Sequence, residues 1–187
     1  MNRKLIPARA ALLAAFALIP AALVLGACED PFSGLGDPVL VTDSIVIASP
    51  TGTSQGPTAL DITSGNRLRR PELPGEAGAW DFQLRQQGNV FSLLPIPQNG
   101  TFRGSGIRAA NRDFDQAEEA PRDRAGYTRT LFPIAVGQTY YIQSRESQAV
   151  FCAKYGVLKV LSADPAAGTV RVVVRSNQQC DDERLVP

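Results

Sequence analysis

Thr169-Val-Arg-Val-Val-Val-Arg175 places valines at alternate positions, so that Val170, Val172 and Val174 share one side of an extended chain. β-Branched residues at a period of two are typical of a half-buried strand. An apolar run over residues 150–161 precedes it, and Asp164-Pro-Ala-Ala-Gly168 between them has the composition of a turn. The two runs therefore predict an antiparallel hairpin near the end of the chain.

Short runs of the same kind recur upstream. In residues 80–85, Trp80, Phe82 and Leu84 share one face, and the turn-forming residues 86–89 join this run to residues 90–94, which predicts a second hairpin. Further strands are predicted over residues 39–48 (as one strand or two), 59–62, 101–110, 127–136 and 139–145. Residues 49–79 are otherwise rich in Gly and Pro and are predicted to form loops.

One short helix is predicted over residues 113–120, where Asp113 is a candidate N-cap and Pro121 ends the segment. No helical period recurs between the strands, which argues against βαβ units. The predicted fold class is therefore mainly β, an antiparallel β-sandwich or small barrel with at most one short helix.

The first 27 residues differ in composition from the rest of the chain. Arg3, Lys4 and Arg9 precede a nearly continuous apolar run over residues 10–26. A basic start, a short apolar centre and small residues at its end are typical of a cleaved secretory signal peptide. The alternative is an uncleaved transmembrane anchor, for which a run of about 17 residues is shorter than the roughly 20 that a span needs.

Leu25-Gly26-Ala27-Cys28 ends this run. The four residues resemble the lipobox of bacterial lipoprotein precursors, in which an aliphatic residue and two small residues precede a cysteine. The resemblance implies lipid transfer to the Cys28 sulfur and cleavage between Ala27 and Cys28, with two or three acyl chains anchoring the protein stably. The alternative is a chance cysteine after an ordinary signal peptide.

These motifs divide the chain into a signal peptide (1–27), a lipidated tether (28–38) rich in Gly, Pro and acids, and one β-rich domain (39–187). The expected location is the bacterial cell envelope, exported and anchored by lipid, with the inner or outer membrane left open. Without the leader, 16 basic residues face 18 acidic ones, a net charge of −2. Such a surface gives no reason to expect nucleic acid as a partner.

Two cysteines, Cys152 and Cys180, remain after Cys28 is assigned to lipid. In an exported domain an even pair predicts a disulfide, because the compartment is oxidising. The alternatives are two buried thiols or a metal-binding pair.

The chain contains no histidine, which excludes Ser-His-Asp and Cys-His nucleophile systems and histidine-ligated metals. Asp113, Asp115, Glu118 and Glu119 are candidate calcium ligands. Three nearby arginines, Arg112, Arg122 and Arg124, favour instead a salt-bridged loop, and we expect neither a metal nor a cofactor. The acidic run Asp181-Asp182-Glu183 is expected to be a solvated surface.

Two residue groups are candidate contact surfaces. Arg67-Leu-Arg69-Arg70 is the main basic cluster and either attracts anions or is plain surface, and we favour plain surface. Four aromatic residues either line a binding face or pack in the core, and we favour packing: Trp80, Tyr127, Tyr140 and Tyr141.

The sequence as a whole favours a non-enzymatic envelope lipoprotein that binds or scaffolds at the membrane surface. The expected partners are membrane lipid through Cys28 and an envelope protein, a peptide or a glycan. The alternative function is a carboxylate-based hydrolase of envelope polysaccharide. A cleft with two close carboxylates, one desolvated, would favour the hydrolase, and a flat face or open sheet edge would favour binding.

Overall fold

The computed structural model describes residues 36–98, 103–146 and 152–187, and these residues contain ten strands. One sheet contains β1 (Leu40–Ala48), β6 (Gly106–Ala109), β8 (Thr139–Gln143), β9 (Tyr155–Asp164) and β10 (Thr169–Asn177). The other contains β2 (Ala59–Asp61), β3 (Arg67–Arg69), β4 (Phe82–Gln87), β5 (Val90–Pro95) and β7 (Phe132–Ile134). We call them the first sheet and the second sheet.

The strand order is β1-β10-β9-β8-β6 in the first sheet and β3-β2-β4-β5-β7 in the second. Every strand pair is antiparallel. The sheets share one apolar core and, over the described ranges, do not close into a barrel. The fold is a β-sandwich, which confirms the mainly β class predicted from the sequence.

Both predicted hairpins are present. β10 pairs with β9 through a turn over residues 165–168, and β5 pairs with β4 through a turn at residues 88–89. Gly168 and Gly88 have φ of 68° and 60°, a conformation that glycine adopts without steric cost. Turn chemistry thus set the register of the β4–β5 hairpin, and with it which side chains face the core. In the β9–β10 hairpin a register shift between Arg171 and Val172 changes the pairing set at the turn, so that Val172 lies opposite Val160.

Side chains at alternate positions of the strands fill the space between the sheets. Val170, Val172 and Val174 of β10 are at most 1% exposed, and Phe82 and Leu84 of β4 are fully buried. Core residues from the facing strands include Ile47, Leu60, Phe91, Leu93, Ile107, Ile134, Tyr140, Ile142, Leu158 and Val160. Their burial supplies the main favourable free energy of folding.

A second apolar cluster covers the outer side of the first sheet. Tyr141, Tyr155 and Val157 point outward from β8 and β9 and pack against Phe114 and Leu185. Ala117, Ala120 and Tyr127 complete the cover. The connection between β6 and β7 and the C-terminal tail together cover this part of the outer side, while Val46 of β1 and Leu161 of β9 remain exposed.

The predicted helix over residues 113–120 is wrong: the structure has a 3₁₀ turn at Phe114–Gln116. The Phe114 carbonyl, which a helix would bond to the N–H of residue 118, and the Ala117 carbonyl both accept hydrogen bonds from Arg175 at 2.9 Å. The Ala117 carbonyl also lacks a helical donor, because residue 121 is proline. Burial of Phe114 and the contacts with Arg175 hold the segment flat against the sheet.

Other boundaries differ in smaller ways. The short strand β3 lies within residues 49–79, where loops were predicted. The predicted strand over residues 127–136 is reduced to β7, and that over 101–110 to β6, an edge strand. Residues 150 and 151 of the predicted strand before β10 lie outside the described residues. In the part of the chain that the structure describes, no helix is long and apolar enough to cross a membrane.

Candidate functional site

The predicted lipidation and cleavage residues, Cys28 and Ala27, lie outside the described residues. The other two cysteines are joined: Cys152 and Cys180 form a disulfide with their Cα atoms 5.5 Å apart. The predicted pairing is confirmed. The bond ties the start of the segment that leads into β9 to the tail after β10.

The acidic run next to this disulfide was expected to be solvated, and that expectation is wrong for two of its residues. Asp182 is fully buried and Glu183 is 2% exposed. The guanidinium of Arg184 lies 2.8 Å from Asp182, and that of Arg122 lies 3.1 Å from Glu183. Each of these two buried carboxylates thus has an arginine as its partner, as buried charges in proteins generally require.

The third acid, Asp181, is half-exposed and has a left-handed φ of 52°. Its carboxylate accepts a hydrogen bond from the backbone N–H of Ala153 at 3.2 Å and pairs with Arg124. These contacts fix the tail beside the disulfide. The acidic run therefore fastens the C-terminus to the sandwich.

The candidate calcium ligands do not form a site. No group of three or more His, Cys, Asp or Glu residues that suits a metal is present among the described residues. Asp113 lies 3.9 Å from Lys159, while Arg122 and Arg124 pair with acids elsewhere in the sequence. These two arginines therefore do form salt bridges, but with acids that lie far away in the sequence.

The arginines of the basic cluster lie on β3 or directly after it, and each has different surroundings. Arg69 pairs with the buried Asp61 at 3.0 Å, Arg70 donates to the Gln55 carbonyl at 2.7 Å, and Arg67 is exposed. The cluster thus presents no shared cationic surface.

The four candidate aromatics all pack inside. Trp80 is the most exposed of them, at 8%. Burial raises the pKa of Tyr127 far above its ordinary value. These rings pack in the interior, as we favoured from the sequence. They therefore offer no stacking surface for a sugar.

A buried charge cluster joins the two sheets, and no local pattern of residues predicted it. Asp61 ends β2 and Asp81 precedes β4, and both are fully buried. Pairing of β2 with β4 brings the two aspartates together, although 20 positions separate them. Arg145, which follows β8, places its Nη1 atom 3.2 Å from Asp61 and 3.0 Å from Asp81.

Every oxygen of these two carboxylates accepts at least one hydrogen bond. Asp81 accepts from the backbone N–H groups of Ile62 at 2.8 Å and Thr63 at 3.0 Å, and from the Ser105 hydroxyl at 3.1 Å. Asp61 accepts from the Ser64 N–H at 3.3 Å and from Arg69. Burial raises the pKa of Asp81, and Arg145 opposes that shift.

Arg145 contacts both carboxylates and so holds them near each other, but their environment differs from that of a catalytic pair. Both side chains are fully buried and saturated with donors, so neither presents an oxygen to a substrate. The cluster acts as a brace: it fastens loops from β2, β4, β6 and β8 at one point.

The residues that the structure describes leave a surface uncovered on the outer side of the second sheet. In register across β4, β5 and β7, Arg85 pairs with Ser92, and Ser92 with Pro133. Gln87 pairs with Val90, and Leu94 and Leu131 extend the same side. We call these seven residues the open face.

The open face is mostly apolar and exposed. Val90 and Leu131 are 57% and 52% exposed, and a shallow groove of about 440 Å³ runs between them over residues 85–87, Ser92 and Leu94. Beyond the groove, Val136 in the β7–β8 turn is 56% exposed. On the first sheet, the second apolar cluster covers Tyr141, Tyr155 and Val157, although Val46 and Leu161 remain exposed at 42% each. On the second sheet, no described residue covers the patch formed by the open face, and apolar patches of this kind mark interaction sites.

Comparison of the chain with protein-family models, with curated proteins and with solved structures found no match.

Proposed function

We propose that this chain is an exported bacterial lipoprotein, anchored by acyl chains on Cys28, whose β-sandwich binds another envelope protein through the open face. The leader supports the first part: a basic start, an apolar centre and the lipobox-like Leu25-Gly26-Ala27-Cys28. The signal cleavage falls between Ala27 and Cys28.

The open face is the observation that carries the binding function. Its exposed aliphatic side chains lose water when a complementary protein surface covers them, which is favourable by roughly 25 cal/mol per Å² of apolar area. A glycan is a poorer occupant, because the candidate aromatics that would stack on sugar rings are buried. The buried aspartate pair gives the hydrolase alternative no open carboxylate.

The anchor is tested with the full precursor in a bacterial host fed a labelled fatty acid. The wild-type chain is expected in the membrane fraction with label, and Cys28→Ala is expected unlabelled and released. An unlabelled Cys28→Ala chain that stays in the membrane would contradict the lipid anchor.

The binding surface is tested by photo-crosslinking in intact cells. A crosslinking residue at Leu131 is expected to capture a defined envelope protein, whereas one at Leu161 of β9, which is 42% exposed, serves as the matched control. Val90→Asp is expected to abolish the Leu131 product. The same products from positions 131 and 161, or none from 131, would refute the open face as the binding surface.

A further inference from the structure

The open face has a single charged residue, Arg85. Its side chain is exposed and makes no hydrogen bond or ion pair with any residue in the described ranges 36–98, 103–146 and 152–187. In the buried cluster, by contrast, Arg69 and Arg145 each hold a carboxylate. A guanidinium that stands unpaired on an apolar surface offers its donors to whatever covers that surface.

Ser92 lies beside Arg85 in register on β5 and lines the same groove. The Ser92 side chain is 8% exposed, and its hydroxyl has no hydrogen-bond partner among the described residues. A hydroxyl that lines a groove and has no partner in the protein can donate a hydrogen bond to a ligand that enters the groove. The groove therefore presents two neighbouring donors, one charged and one neutral.

Aliphatic groups border these donors. Val90 and Leu94 precede and follow Ser92 on the outward side of β5, and Leu131 closes the groove. The complementary ligand is an anion small enough to meet both donors, flanked by apolar side chains. A carboxylate meets this condition, because an Arg–carboxylate hydrogen bond is charge-assisted and planar.

We propose that the open face recognises a carboxylate flanked by aliphatic residues in a segment of its protein partner. Arg85 and Ser92 bind the carboxylate oxygens, and Val90, Leu94 and Leu131 take the aliphatic side chains. This inference rests on the proposed binding function and specifies its ligand chemistry. The carboxylate belongs either to an internal acidic residue or to a chain terminus.

Three synthetic peptides test the proposal against the mature chain, produced without lipid through Cys28→Ala and labelled with ¹⁵N. The first is an acetylated, amidated pentapeptide with a central Asp flanked by Val and Leu. The second replaces Asp by Asn, and the third is the Asn peptide with a free C-terminal carboxylate. Chemical-shift changes are expected on the open face. The Asn amide is expected to bind at least tenfold more weakly than one of the two carboxylate peptides.

The variant set separates charge from shape. Arg85→Gln is expected to weaken binding of the preferred carboxylate peptide about tenfold, and Ser92→Ala is expected to weaken it about threefold. Arg171→Gln, an exposed arginine on β10 of the other sheet, is the matched control and is expected to leave binding unchanged. The proposal would be overturned if the Asp and Asn amides bind equally and the peptide with a free C-terminal carboxylate does not bind. It would also be overturned if Arg85→Gln binds the preferred peptide as tightly as the wild type does, or if neither carboxylate peptide binds.

Failure of this inference is distinguishable from failure of the proposed function. If the crosslinked product at Leu131 survives Arg85→Gln but disappears in Val90→Asp, the open face binds its partner without a carboxylate. If no specific product forms at Leu131 in any chain, the binding function itself fails.

Discussion

Arg145 contacts Asp81 twice: its backbone N–H donates to Oδ1 at 2.8 Å, and its Nη1 atom lies 3.0 Å from the same oxygen. The two residues belong to different sheets, since Asp81 precedes β4 and Arg145 follows β8. One side chain thus accepts both a backbone and a charged donor from across the sandwich. Such a contact fixes the relative position of the sheets at this point.

Asp81→Asn is expected to destabilise the protein by about 3–5 kcal/mol, because an amide nitrogen replaces an oxygen that faces only donors. The substitution also leaves two partly buried cations, Arg69 and Arg145, with a single anion, Asp61. Urea unfolding, followed by the fluorescence of the neighbouring Trp80, measures this loss. Ser105→Ala, which removes one donor to Asp81, is the milder variant, with an expected loss of about 1 kcal/mol. The exposed Asp115→Asn is the control, and a loss in it equal to that in Asp81→Asn would contradict the brace.

Removal of the disulfide is expected to cost roughly 3–4 kcal/mol by the chain-entropy relation, because Cys152 and Cys180 are 28 positions apart. The double variant Cys152→Ser and Cys180→Ser, compared with the oxidised wild type in urea, gives this value directly. The wild type with reductant should match the double variant. Two free thiols in the untreated, unfolded wild type would show that the bond does not form.

The buried Asp182 is expected to make stability depend on acid. Burial alone raises the pKa of Asp182, but hydrogen bonds from Arg184 outweigh burial and hold the pKa below the ordinary value of 3.8. A carboxyl whose pKa is lower in the folded chain stabilises it above pH 3.8, and the contribution is lost as the pH falls through the folded pKa.

Urea midpoints at pH 7 and pH 3 measure this dependence. Asp182→Asn is expected to be less stable than the wild type at pH 7, with a smaller difference at pH 3. Asp115→Asn should follow the wild type at both values. A difference between Asp182→Asn and the wild type that does not change with pH would contradict the assignment.

Leu185→Ala is expected to cost about 2–5 kcal/mol, because Leu185 is fully buried in the cluster that covers the first sheet. Leu161→Ala, at an exposed position, should change stability by less than about 0.5 kcal/mol. Thermal unfolding of both variants compares them. If both lose the same stability, the tail does not cover the sheet in solution.

Patterns with a local cause were predictable from the sequence. The hairpins β4–β5 and β9–β10 follow from alternation and turn residues within a few positions of one another. The disulfide followed from the number of cysteines, since Cys28 was already assigned. These features needed no knowledge of distant contacts.

Features that depend on distant pairing were not predictable. Asp61 and Asp81 meet only because β2 pairs with β4, and Asp182 is buried only because Arg184 and the tail fold over β10. The predicted helix was wrong for the same reason, since Arg175 on β10 donates to the Phe114 carbonyl, which a helix would use internally. The open face was not predictable from the sequence, because its exposure depends on which other segments of the chain pack over the second sheet.

The pairing of β1 with β10 has a consequence for biosynthesis. Leu40 lies opposite Asn177, so the first strand of the domain has no ladder partner until the last strand has been made. Pairing over so long a sequence separation slows folding, because the loop must close before the contact is gained. For a chain that we propose is exported, this order keeps the nascent domain incomplete, and able to pass through a narrow translocation channel, until β10 has been synthesised.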